Sequence, residues 1–185
     1  AFRQMLAHEI PPDIADMIRR GIRFVVDKDN LAGLLSRHPL PLPTSQLPSA
    51  TEFVNLVHDF WYHTLWTAKH LRRGELWWAK GCCDMHLKGL LQQMLMWHAK
   101  ASKGGDTDTW LRGRFLEEWA DPRALAALTA AFAHYNVEDV WQALLATMDL
   151  FAWLERETAV SLDLTYPTGG QEQAANLVQA LFANR

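Results

Sequence analysis

Apolar side chains recur at every third or fourth position over most of the chain beyond residue 50, which is the spacing of one face of an α-helix. From Ser49 onward this spacing predicts a helix of roughly six turns. Its apolar stripe consists of Phe53, Leu56, Val57, Phe60, Trp61, Thr64, Leu65 and Ala68. Ser49 and Glu52 have the spacing of a capping box, which favours a helix start here, and Gly74 is expected to interrupt the helix.

Helical spacing continues almost to the end of the sequence. A second long helix is predicted from Leu76 to Leu95, and a third from Val137 to Val160. Shorter helices are predicted over residues 109–120, 121–135 and 171–183. The predicted fold class is therefore mainly α, a helical bundle preceded by a short N-terminal α/β segment.

The N-terminal segment follows a different pattern. Residues 11–21, PPDIADMIRRG, predict a short helix, and residues 22–30, IRFVVDKDN, predict a β-strand. One strand needs a sheet, which the rest of the sequence does not visibly supply. Prolines then follow closely and favour an extended linker. They are Pro39, Pro41, Pro43 and Pro48. The predicted domains are a remnant of a larger domain over residues 1–35, a linker over 36–50 and a helical domain over 51–185.

Composition and charge narrow the class of protein. The 185 residues are 49% hydrophobic and 21% charged, which is typical of a globular domain. A formal net charge of −3 argues against a general nucleic-acid binder. No apolar run approaches the ~20 residues needed to cross a bilayer, so no membrane span is predicted. Cys82 and Cys83 are adjacent and form no natural disulfide, which fits a cytoplasmic location. A start at Ala1 rather than Met suggests a piece of a longer chain.

A second stripe runs beside the apolar one on the helix that follows Ser49. It consists of Glu52, Asn55, Asp59, Tyr62, Trp66 and Lys69. One interpretation is a solvated face with tryptophans half buried against other helices. The other is a ligand-binding wall, because carboxylates attract cations, aromatic faces support sugar rings or ammonium ions, and a lysine attracts an anion.

Other candidate sites are weaker. Asp59 and His63 share a helix face that a metal ion could use, with His58 nearby, but no HExxH motif or Cys/His set accompanies them, so no metal ligand set is predicted. The sequence has no Gly-rich phosphate loop and no Ser-His-Asp context. A few basic residues form either a phosphate patch or the solvated edge of two helices. They are Arg72, Arg73, Lys80 and Lys88.

Residues 59–80, DFWYHTLWTAKHLRRGELWWAK, resemble the signature of the aminoglycoside (streptomycin) 6-adenylyltransferase family. In that family an acidic residue precedes Phe-Trp, a lysine follows further along the helix, and an Arg-x-Glu comes before an aromatic-Ala pair. The matching residues are Asp59, Phe60, Trp61, Lys69, Arg73, Glu75, Trp78 and Ala79. The likeness continues to Trp97 and resumes over residues 137–167. Upstream, RFVVDKDNL resembles the last segment of the family's nucleotidyltransferase domain.

The resemblance implies an enzyme that transfers AMP from ATP to a hydroxyl of a streptomycin-like aminoglycoside, bound in a cleft between the helical and nucleotidyltransferase domains. It implies that Asp59 is the base that deprotonates the attacking hydroxyl. Glu52 matches a second carboxylate for the drug's cationic groups, and Tyr62 and Trp66 line the cleft.

The nucleotide-binding residues that the resemblance implies are Lys69 and Arg73, which meet the triphosphate. Trp61 and Trp78 are expected to pack between helices. Gly81 departs from the family, because some relatives look acidic at this position.

A larger departure is that family members carry a nucleotidyltransferase domain with a Gly-Ser motif, paired aspartates and a third acidic residue, which these 185 residues lack. Such carboxylates hold Mg²⁺ against the triphosphate. ATP and Mg²⁺ are therefore implied for the intact enzyme, but none is expected to bind this chain alone, which is expected to be inactive. The implied partners are an aminoglycoside-type small molecule and the missing nucleotidyltransferase domain. The alternative is a non-catalytic helical binding or association module derived from the same family.

Overall fold

The computed structural model describes residues 10–37, 40, 47–166 and 168–184. These residues form helices, turns and loops, and no β-strand occurs among them. The prediction of a mainly α fold is therefore confirmed. The chain divides into two compact units, Ala1–Ser45 and Gln46–Arg185. The roles predicted for residues 1–35, 36–50 and 51–185 stay predictions.

The first unit contains two short helices, α1 (Pro12–Arg19) and α2 (Leu31–Leu35). A proline in the first turn favours α1, and Gly21 with a φ of +115° follows its end. The carboxylate of Asp27 accepts hydrogen bonds from the first backbone N–H groups of α2, at 2.6 and 3.0 Å. A small apolar cluster around Ile10 and Ala15 holds this unit together.

The predicted β-strand at residues 22–30 is wrong, because this stretch is irregular, with a bend at Val25 and a turn at Lys28 and Asp29. Val25 and Val26 are 87% and 70% exposed. A strand is stable only when another strand satisfies its backbone hydrogen bonds, and the described residues provide none. Of the prolines that predicted a linker, Pro39, Pro41 and Pro43 lie outside the described residues, and Pro48 lies just before the next helix.

The second unit is a helical bundle. In chain order its helices are α3 (Ala50–Arg72), α4 (Leu76–Gly81), a π-helical segment (Cys82–His86), α5 (Leu87–Lys103), α6 (Leu116–Trp119), α7 (Pro122–Leu128), α8 (Val137–Ser161) and α9 (Gly169–Ala183). The predicted capping box of α3 is confirmed, since the Ser49 hydroxyl accepts from the Glu52 N–H and the Glu52 carboxylate accepts from the Ser49 N–H. None of the described helices combines the length and apolar character of a membrane span.

Two predicted helices are shorter than expected, and a third is interrupted. Only the last turn of residues 109–120 is helical, because Leu111, Arg112 and Phe115 adopt left-handed backbone conformations. The helix that begins at Pro122 ends at Leu128 instead of continuing to residue 135. The second long helix is divided by the π-helical segment.

The core of the second unit lies where α3 packs along α9 and α5 packs along α8. The rings of Phe60 and Phe151 stack with their centroids 3.6 Å apart. Beside them, the indole of Trp61 donates to the carboxylate of Glu155 at 3.0 Å, and the hydroxyl of Tyr166 donates to its other oxygen at 3.3 Å. Glu155 is fully buried, and this burial raises its pKa to about 7. The buried carboxyl of Glu155 on α8 therefore links this helix to Trp61 on α3 and to Tyr166 in the segment before α9.

Candidate functional site

The face of α3 that carries the second stripe is open to solvent. Glu52, Tyr62 and Lys69 are exposed, whereas Asp59 and Trp66 are partly buried. A helix rises 1.5 Å per residue, so Glu52 and Lys69 lie roughly 25 Å apart along its axis. The two ends of the stripe are therefore too far apart to bind the same small chemical group.

At the middle of the stripe, Asp59 lies between two imidazoles. Its Oδ1 is 2.6 Å from Nδ1 of His63 and 3.2 Å from Nε2 of His86, and the two ring nitrogens are 3.1 Å apart. His63 follows Asp59 by one turn of α3, whereas His86 comes from the end of the π-helical segment. The side chains of Asp59, His63 and His86 are 39%, 28% and 43% exposed, so small molecules can reach the group.

An aromatic group extends from this centre toward the C-terminal end of α3. The rings of Trp66 and His70 lie 3.8 Å apart, and Trp78 is 6.0 Å from Trp66. Trp78 is 59% exposed, so the expectation that it packs between helices is wrong. Trp61, in contrast, is 5% exposed and belongs to the core, as expected.

Basic residues gather where α3 ends. Lys69 and Arg73 are exposed and make no ion pair with any residue of the described ranges. His70 forms an ion-pair contact with Glu75, so one acidic group lies near this cationic end. The end of α3 therefore offers charge to an anionic ligand, whereas Asp59 and Glu52 offer charge to a cationic one.

A cavity of about 200 Å³ lies between α3 and α9. It is lined by Val57, His58, Trp61, Tyr62, Leu65, Gly170, Gln171 and Ala174. Tyr62 belongs to this lining, but Glu52, Asp59 and Lys69 do not. The structure thus brings Asp59 together with His63 and His86, and the ring of Tyr62, which lines the cavity, lies 4.9 Å from the ring of His63.

Within the described ranges, Asp59, His63 and His86 are the one set of three potential metal ligands whose ligand atoms lie within 4.8 Å of one another. Mg²⁺ prefers oxygen ligands in an octahedral arrangement, so one carboxylate with two imidazoles does not fit it. The sequence pointed to Asp59 and His63 but missed His86. The missing signal lies in the π-helical segment, since apolar periodicity does not show where a helix widens by one residue per turn.

The second unit therefore belongs to the class of helical-bundle domains, with carboxylates, aromatic rings and basic groups along the exposed face of α3. Residues 11–181 match the family described as streptomycin adenylyltransferase. Because this match covers most of the chain, the chain belongs to that family. The resemblance stated from residues 59–80 is therefore confirmed.

Relatives from three bacteria are similar to this chain. An aminoglycoside 6-adenylyltransferase of Staphylococcus aureus is 22% identical over 149 residues, which are 79% of this chain and 52% of the relative. The Campylobacter jejuni protein of that name is also 22% identical over 149 residues, which are 79% of this chain and 51% of the relative. The Bacillus subtilis (strain 168) protein of that name is 22% identical over 65% of this chain and 42% of its own length. The chain thus spans about half the length of these curated relatives.

A solved structure shares the fold. The crystal structure of an aminoglycoside 6-adenyltransferase from Bacillus subtilis superposes with a TM-score of 0.62 at 18% identity. The match covers 73% of this chain and 51% of that chain. At this identity the likeness shows a common fold.

Proposed function

We propose that this chain is the helical, substrate-binding part of an aminoglycoside adenylyltransferase, which transfers AMP from ATP to a hydroxyl of a streptomycin-like aminoglycoside. The observation that supports this most is an accessible carboxylate, Asp59, held between His63 and His86 on the exposed face of α3. Membership of the streptomycin adenylyltransferase family supports the reaction class.

Asp59 acts in this proposal as the general base. An alcohol attacks a phosphoryl group only as its proton leaves, and a carboxylate within hydrogen-bond reach removes that proton. The imidazoles of His63 and His86 hold the Asp59 carboxylate from one side. The exposed part of the carboxylate is available to the substrate hydroxyl.

Glu52, Tyr62 and Trp66 bind the aminoglycoside in this proposal. Hydrogen bonds from Ser49 lower the pKa of Glu52, which keeps its carboxylate negative for the ammonium or guanidinium groups of the drug. The exposed ring of Tyr62 and the partly exposed ring of Trp66 offer faces for sugar rings and cations.

Lys69 and Arg73 bind the triphosphate of ATP in this proposal. Both are exposed, and both lie at the C-terminal end of α3, where they offer positive charge to the phosphates. Mg²⁺ supplies charge neutralisation at the triphosphate in such enzymes. The described residues do not fit that ion, and the sequence has no Gly-Ser motif. We therefore assign the Mg²⁺ ligands to a nucleotidyltransferase domain outside these residues.

Residues 1–35 belong in this proposal to the end of that nucleotidyltransferase domain. Val25 and Val26 are exposed, so this part of the chain offers apolar surface that the rest of such a domain would cover.

A non-catalytic helical module is the second candidate. It rests on the helical bundle and the exposed face of α3, which need no nucleotidyltransferase domain to bind a ligand. Such a module still binds aminoglycosides through the α3 face, but it transfers no AMP.

The deciding experiment is an adenylylation assay with the longest protein that the open reading frame around these residues encodes. With ATP, Mg²⁺ and streptomycin, the enzyme proposal expects pyrophosphate release and an AMP–drug adduct detected by mass spectrometry. Streptomycin binding to the same protein is measured by calorimetry. Binding without adduct supports the module, and absence of both contradicts the proposed substrate class.

A further inference from the structure

We propose that Asp59, His63 and His86 form a binding site for a divalent transition-metal ion of borderline softness, with Zn²⁺ as the best-fitting ion. The site lies on the surface formed by α3 and the π-helical segment. It does not depend on the adenylyltransferase activity, because the three ligands are sufficient to hold the ion without ATP or aminoglycoside.

The first argument is the spacing of the three ligand atoms. Oδ1 of Asp59, Nδ1 of His63 and Nε2 of His86 are separated by 2.6, 3.2 and 3.1 Å. Zn²⁺ bonds to imidazole nitrogen and carboxylate oxygen at about 2.0–2.2 Å, so tetrahedral ligands lie about 3.3 Å from one another. The two separations that involve Nε2 of His86 are within about 0.2 Å of this value, whereas Oδ1 of Asp59 and Nδ1 of His63 must move apart by about 0.7 Å.

The second argument is that the three ligand atoms cannot all form hydrogen bonds with one another. Nδ1 of His63 lies within hydrogen-bond distance of Oδ1 and the main-chain oxygen of Asp59 and of Nε2 of His86. An imidazole nitrogen carries at most one proton, so it cannot donate to all of these neighbours. A cation at the centre instead accepts electron pairs from all three ligand atoms.

The third argument is the chemistry of the donor set. Two imidazoles and one carboxylate suit Zn²⁺, Cu²⁺, Ni²⁺ and Fe²⁺, whereas Mg²⁺ and Ca²⁺ prefer sets of oxygen atoms. Each ligand side chain is 28–43% exposed, which gives the ion an entry path and leaves space for water as a fourth ligand.

The fourth argument is the support of the segment that delivers His86. Within the same turns, Lys80 contacts the carboxylate of Asp84 and donates to the carbonyl of Ala133 at 2.7 Å. These contacts fix the start of the π-helical segment to the loop after α7. Such segments are rare and occur frequently at functional sites.

The test is a Zn²⁺ titration of the purified 185-residue chain against a colorimetric chelator, with Mg²⁺ in large excess. We expect one Zn²⁺ per chain. Loss of an outer partner of a metal ligand alone weakens binding about 10–100-fold, so His86→Ala, which removes a ligand, is expected to weaken it at least 10-fold. His58→Ala is the matched control, because His58 is an exposed histidine of α3 that lies outside the ligand set.

A second measurement protects against a folding artefact. Zn²⁺ is expected to raise the melting temperature of the unaltered chain and of His58→Ala, and to leave that of His86→Ala unchanged. His86 is largely exposed, and circular dichroism of His86→Ala without metal is expected to match that of the unaltered chain. Equal Zn²⁺ affinity in the unaltered chain and in His86→Ala, or displacement of Zn²⁺ by Mg²⁺, overturns the proposal. Because a bound Zn²⁺ occupies the carboxylate of Asp59, adenylylation is assayed with a Zn²⁺ chelator present, so that the two proposals are tested separately.

Discussion

Asp59 carries the proposed proton transfer, and asparagine at this position keeps the shape of the side chain while removing its basicity. A positioned base contributes about 10²–10⁴-fold in rate, so Asp59→Asn in the intact enzyme is expected to lower kcat by that order. The KM for ATP is expected to stay nearly unchanged. Steady-state kinetics check both, with Asp149→Asn, an exposed carboxylate of α8, as control. Near-normal turnover of Asp59→Asn assigns the base to another residue.

Substitutions of Lys69 test the part of the proposed site that binds the triphosphate of ATP. Lys69→Ala removes a positive charge from the end of α3, so the KM for ATP is expected to rise. The rise is expected to be larger at low salt, because screening then no longer masks the charge. Lys69→Arg keeps the charge and is expected to restore most of the ATP affinity. A KM for ATP that is the same in all three proteins removes Lys69 from the nucleotide site.

The raised pKa of the buried Glu155 carboxyl is expected to make the stability of the second unit depend on pH. Its pKa is about 7 in the folded chain against an ordinary value of 4.5, so the folded state holds a proton that the unfolded state releases between these values. The free energy of unfolding therefore falls as pH rises through this window, by roughly 3 kcal/mol from this group.

Glu155→Gln tests this dependence. The glutamine oxygen can accept from Trp61 and its amide can donate to Tyr166, so both contacts are kept. The difference in unfolding free energy between about pH 5 and about pH 8, measured by urea denaturation, is expected to shrink by that amount in the variant. An unchanged difference means that Glu155 is ionised in the folded state.

Single residues also show what the sequence could and could not predict about the site. The stripe on α3 followed from spacing alone, because every residue of one helix has a fixed direction relative to the next. His86 did not follow, since its position beside Asp59 depends on how the π-helical segment packs against α3. The exposure of Trp78 was missed for a related reason, because it depends on how neighbouring helices pack and not on the local sequence.

The secondary-structure elements also divide into those that local sequence signals predict and those that depend on contacts with distant residues. Helices α3, α8 and α9 were predicted because long amphipathic stripes and capping residues are local signals. The strand at residues 22–30 was predicted from composition, but a strand exists only with a partner, which composition does not reveal. The loss of helix before Leu116 reflects left-handed backbone at Leu111, Arg112 and Phe115, which non-glycine residues seldom adopt.

Two substitutions at the start of α3 distinguish the role of these residues in helix capping from a role in ligand binding. Ser49→Ala removes the capping hydroxyl and is expected to cost about 0.5–2 kcal/mol of stability. Glu52→Gln keeps a hydrogen-bonding group suited to the capping box but removes the charge, so it is expected to cost less stability and to raise the aminoglycoside KM. Thermal unfolding and steady-state kinetics give the two readouts. A KM that rises equally in Ser49→Ala would attribute the effect to the helix start instead of the charge.

The division of the chain into two units predicts that the second unit folds by itself. Its core consists of buried residues between Phe53 and Val178, which a chain that begins at Gln46 retains in full, together with the capping residue Ser49. Such a chain is expected to unfold in one cooperative transition. Its stability is expected to lie within about 1 kcal/mol of that of the 185-residue chain, which corresponds to a shift in melting temperature of only about 2–4 °C.

A chain that begins at Thr51 is the matched control. It keeps the same core but lacks Ser49, so it is expected to be less stable by about the value of a helix cap, 0.5–2 kcal/mol. Differential scanning calorimetry compares the three proteins. A broad, non-cooperative transition in the chain that begins at Gln46 would show that residues 1–45 are needed to complete the bundle. A sharp transition for that chain, with a lower one for the chain that begins at Thr51, establishes the bundle as an independent folding unit on which the proposed ligand sites can be measured directly.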